Sequence, residues 1–78
     1  MSSENRLDLN LLSAVVALLD MGSVTQAALK LEISQPSMSA ALGKLRAHFD
    51  DPLFVRSATG MAPTPRGAEV ASAAREIL

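Results

Sequence analysis

The chain has 78 residues, a formal net charge of -1, no cysteine and a single histidine, His48. That length holds one small domain, which buries only about 60% of its unfolded surface. Disulfides and thiolate metal sites are excluded, and one histidine does not build a metal or catalytic centre. No nucleophile–base pair is visible either, so neither an enzyme nor a cofactor is expected.

Hydrophobic residues make up 49% of the chain and aromatic residues 3%. The core must therefore be aliphatic and alanine-rich, which favours helices. No apolar run approaches the ~18 residues of a membrane span. The polar opening "MSSENRLDLN" lacks signal-peptide architecture, so a cytoplasmic protein is expected. The charge distribution says more than its sum. Residues 33–49 contain Lys44 and Arg46 but no acid, and residues 52–68 contain Arg56 and Arg66 but no acid.

Asp8 is placed to cap a first helix, with Leu7 and Leu12 as a hydrophobic staple. Leu12, Val15, Val16 and Leu19 follow helical spacing, which predicts a helix over residues 9–20, ended by Gly22. Ser23 with Gln26 forms a capping box for a second helix over residues 24–31.

Ser34 caps a third helix, and Pro36 sits in its first turn, where a missing N–H costs nothing. Met38, Leu42, Leu45 and Phe49 share one stripe, the expected core face. The opposite face carries only Pro36, Ala40, Gly43 and Ala47. Ser37 and Lys44 border it on one flank, Ser39 and Arg46 on the other. Most helices with one apolar face carry long charged residues on the other, so this trimmed face asks for a reason.

"LFVR" at residues 53–56 is short, apolar and β-prone. "SATG" reads as a turn and "MAP" as a returning strand, together a small hairpin. Thr64 then caps a last helix with Pro65 at its first position. Val70, Ala71, Ala74, Ile77 and Leu78 continue its helical pattern. The pattern carries no stop signal at Leu78, so a fragment of a longer chain is expected.

Two helices joined by a tight turn, a third helix and a hairpin describe a mainly α winged helix-turn-helix over residues 1–63, followed by a linker helix over residues 64–78. In that architecture the third helix enters the major groove of DNA. A bare face then has a use. Small side chains permit close approach, while Gln35, Ser37 and Ser39 offer donors and acceptors to base edges. The rival reading is a winged helix whose bare face docks a protein. Lys44 and Arg46 read equally well as solvated charges or as phosphate contacts.

The strings "DLNLL", "GSVTQAALKL", "SQPSMSAALGKLR", "DPLFVR" and "PTPRGAEV" resemble, in that order, the N-terminal DNA-binding domain of LysR-type transcriptional regulators. The form looks nearest to the branch of nodulation and aromatic-degradation regulators. The resemblance implies base or sugar-phosphate contacts from Ser34, Gln35, Pro36, Ser37, Ser39 and Ala40. It implies backbone contacts from Thr25, Gln26, Arg56, Thr64 and Arg66. It also implies a homodimer on a near-palindromic duplex site, held through Val70, Ala71, Ala74, Ile77 and Leu78. The same alanine stripe could instead pack on its own domain; the resemblance favours the dimer. A small-molecule effector would belong to a C-terminal domain absent from this sequence. Many members carry arginine where this chain has Ala40, and a basic wing tip where it has Ala58 and Thr59. Both departures lower the expected affinity for DNA.

Overall fold

The computed structural model describes residues 8–78, and the Leu7 half of the expected staple lies outside them. Each helix start follows from local chemistry. Asp8 Oδ1 accepts the Leu11 N–H, Ser23 Oγ accepts that of Gln26, Ser34 Oγ that of Ser37, and Thr64 Oγ1 that of Gly67. These caps open α1 (Leu9–Met21), α2 (Val24–Leu31), α3 (Gln35–Phe49) and α4 (Pro65–Ile77). Among the described residues, no helix is long and apolar enough to cross a membrane.

Left-handed residues end the first three helices: Gly22, Glu32 and Asp50. At Glu32 and Asp50 the chain accepts a conformation that normally favours glycine, which costs about 1 kcal/mol each.

Between α3 and α4 lies an antiparallel hairpin of β1 (Phe54–Ser57) and β2 (Gly60–Pro63), pairing Phe54 with Pro63 and Ser57 with Gly60. The expected strand over residues 53–56 is shifted. Leu53 takes φ 65, which is outside any strand, and it turns the chain from α3 into β1. Its buried side chain holds that conformation in place.

The core is aliphatic, with Val15, Leu18, Met38, Leu45, Leu53 and Phe54 fully buried. Met38, Leu42 and Leu45 face it as their spacing predicts, and Phe49 packs at its edge. Helix α1 sits centrally, against α2, α3 and α4. Ala14, Ala17 and Leu18 are therefore buried beside Val15, on more of the helix than a single stripe. A helix enclosed by three neighbours must be apolar on several sides.

The alanine stripe of α4, expected at a dimer surface, is largely buried in the fold, although Val70 and Ala74 still edge a groove beside α4. Ala71 and Ala74 are 0% and 1% exposed within this one chain, and Val70 is also buried. They are part of the core and pack toward α1, so Ala71 offers nothing to a second molecule. Small side chains let the two helices approach closely. Ile77 and Leu78 remain exposed.

Candidate nucleic-acid interface

The first turn of α3, the first turn of α2 and the hairpin converge on one surface concavity of about 300 Å3. Ser23, Val24 and Thr25 line it from α2, Gln35 and Ser39 from α3, and Arg56, Gly60 and Met61 from the hairpin. Gln35 and Ser39 lie four residues apart, one above the other on the flank of α3 nearest the hairpin. Arg56 faces them across the gap. Its side chain is exposed and meets no carboxylate among the described residues.

The hairpin is held there by the backbone. Met61 N–H donates to the Gly22 carbonyl at 2.8 Å. A Cβ on Gly60 would lie 2.3 Å from that same carbonyl oxygen, so the position admits only glycine, and its φ of 137 suits glycine as well. The wing therefore seats directly on the α1–α2 turn.

Pro36, Ala40, Gly43 and Ala47 are all exposed on the outward face of α3. Nothing comes within 4 Å of a Cβ placed on Gly43, so no contact inside the chain demands glycine at this point. Ser37 lies on the other flank, in a depression shared with Asn10 and Ser13 of α1. Lys44 is exposed and unpaired with any described carboxylate. Thr25 and Gln26 are exposed at the start of α2.

Four of the expected contact residues also make bonds or packing contacts within the chain. Arg46 turns inward: Nε donates to the Pro52 carbonyl and Nη2 to that of Phe54, both at 2.8 Å. Its guanidinium serves the fold by bridging the two carbonyls on either side of Leu53. The Thr64 hydroxyl is likewise committed, donating to Asp51 Oδ1 at 2.8 Å and accepting from Gly67. Ser34 Oγ accepts from Ser37 N and donates to Ser37 Oγ at 2.9 Å, a capping role. Arg66 lies over the Phe49 ring, 5.5 Å from its centroid, at the far end of α3 and about 20 Å along the axis from Gln35. It is outside the concavity.

Residues 9–68 match the family model described as bacterial regulatory helix-turn-helix protein, lysR family. The chain belongs to the LysR family. Among curated relatives, the chain is 50% identical over 72 residues to nodulation protein D of Rhizobium leguminosarum bv. trifolii, and 54% identical over 65 residues to the HTH-type transcriptional regulator SyrM of Rhizobium etli. Those matches cover 92% and 83% of this chain but only 23% and 19% of the relatives. The chain thus spans less than a quarter of their length. In structure it superposes on the DNA-binding domain of BenM in complex with catB site 1 DNA. There the TM-score is 0.84 at 30% identity, covering 91% of this chain and 80% of the other. The winged helix-turn-helix and the resemblance to nodulation regulators, both legible in the sequence, stand.

Proposed function

We propose that this LysR-family chain binds duplex DNA sequence-specifically to regulate transcription, with α3 in the major groove. One observation carries the reading: Gln35 and Ser39 of α3 and Arg56 of the hairpin face a single concavity beside the bare outward face of α3. A helix reading base edges needs short polar groups at its entering end and nothing bulky beyond them. The free N–H groups of the first turns of α2 and α3 suit phosphate oxygens. The fold shared with a domain solved on DNA supports duplex DNA as the partner.

The division of labour follows from position. Arg56 supplies charge to the phosphate backbone, and Lys44 adds a second cation on the opposite flank. Gln35 and Ser39 supply sequence preference.

The chain acts as a homodimer. Its two recognition helices enter successive major grooves, about 34 Å or a multiple apart, on a near-palindromic site. The surface that suits a second copy is the apolar groove beside α4, with Leu12, Phe49, Val70 and Ala73 along it and Ile77 at its end. The test is fluorescence anisotropy of duplex binding across salt concentrations. A steep fall in affinity with salt is expected from several phosphate contacts. Salt-insensitive or absent binding by folded protein contradicts the reading.

A further inference from the structure

We propose that Arg46 is the positioning residue of the wing: it acts on DNA through Arg56 without touching DNA. The inference rests on the reading above that Arg56 meets the duplex.

Arg46 stands seven residues after Ser39, two helical turns along the same flank of α3. That flank faces the hairpin. One planar guanidinium bonds two carbonyls, those of Pro52 and Phe54, which bracket Leu53. Leu53 is the residue with positive φ, so the fork grips the corner from which β1 departs. At that end the Thr64 N–H closes the ladder onto the Leu53 carbonyl at 2.9 Å. Phe54 and Pro63 face each other without a mutual hydrogen bond, so the Phe54 carbonyl points out of the hairpin. The guanidinium takes that outward carbonyl and ties the edge of β1 to α3.

The other strand has its own anchor, from Met61 N–H to the Gly22 carbonyl. Asp51 and Thr64 hold the corner at Leu53, and each strand has one further tie to the helices, Arg46 on β1 and Gly22 on β2. Arg56 sits two residues beyond Phe54 and pairs with Met61, so it lies between them. With the Arg46 fork removed, the edge of β1 loses its tie to α3, and Arg56 is held less firmly at its distance from Gln35 and Ser39. The partly buried Arg46 has its Nε and one Nη spent on carbonyls, which disfavours a phosphate role for it.

Lysine separates the two roles. It keeps the charge that a phosphate contact needs but lacks the two-point planar fork. Duplex binding is measured for wild type, R46K, R56A and the double variant. R46K alone is expected to weaken binding about tenfold. In the R56A background the same change is expected to cost less than about twofold, because the residue it positions is gone. Wild-type affinity in R46K, or losses that add in full, overturns the proposal. Amide hydrogen exchange of free R46K gives a second readout. Hairpin amides should exchange faster while α3 amides keep wild-type protection; uniform acceleration means general weakening and also overturns it. Should R46K not fold, R46Q enters the same cycle. Failure of the folded wild type to bind any duplex contradicts the proposed function, and exchange in the free variant still decides whether Arg46 holds the wing.

Discussion

The Thr64 hydroxyl donates to Asp51 Oδ1 at 2.8 Å while accepting the Gly67 N–H at 2.9 Å. The same Asp51 oxygen accepts the Leu53 N–H at 2.7 Å. One hydroxyl and one carboxylate oxygen therefore tie the end of α3, the corner at Leu53 and the start of α4. Thr64→Val keeps the branched shape and removes both bonds. It should cost about 1–2 kcal/mol, read as a lower urea midpoint with unchanged slope. Thr64→Ser should restore most of that loss. An unchanged midpoint in the valine variant contradicts this assignment.

Two glycines should respond in opposite directions. A Cβ on Gly67 would meet the Leu53 carbonyl oxygen at 1.9 Å and its carbon at 2.8 Å. Both are backbone atoms, so α4 must lift away. Gly67→Ala should cost about 3 kcal/mol or more and threaten cooperative unfolding.

Gly43→Ala meets nothing within 4 Å and should stabilise the free protein by about 0.5–1 kcal/mol. If the outward face of α3 lies against DNA, the same variant binds duplex more weakly despite its greater stability. Unchanged binding would place Gly43 away from the duplex.

Gln35→Ala should cost about 1–3 kcal/mol of binding and relax preference at one base position. Arg56→Ala should weaken all sequences alike and reduce the salt slope by about 1. Equal losses of base preference in both variants contradict the division between reading and anchoring.

Ile77 is 64% exposed at the end of the groove beside α4. Ile77→Glu should therefore leave the fold intact and shift the chain toward monomer, measured by sedimentation. Binding to a two-half-site duplex should fall more than binding to a single half-site. Loss of folding, or an unaltered mass, counts against that groove as the dimer surface.

The helix starts were legible in the sequence because capping is local. Asp8, Ser23, Ser34 and Thr64 each bond a backbone N–H three residues on. Arg46 was not legible. Its position on the flank of α3 fits a phosphate contact, and only the folded corner reveals the two carbonyls that claim it. Gly67 and the positive φ of Leu53 were missed for the same reason, since each arises where α4 and β1 meet. The α4 alanines show a further limit. Periodicity shows that a face is buried but not what it is buried against, and here that is α1 of the same chain. Gln35, Ser39 and Arg56 were named from the sequence, but their shared concavity depends on how the hairpin seats on Gly22.

The most direct test of the account is selection of bound sequences from a random duplex pool. Folded protein should enrich a two-fold symmetric motif, and the Gln35→Ala variant should lose preference at matching positions of both halves. No enrichment, or a motif indifferent to Gln35, would contradict α3 as the reading element.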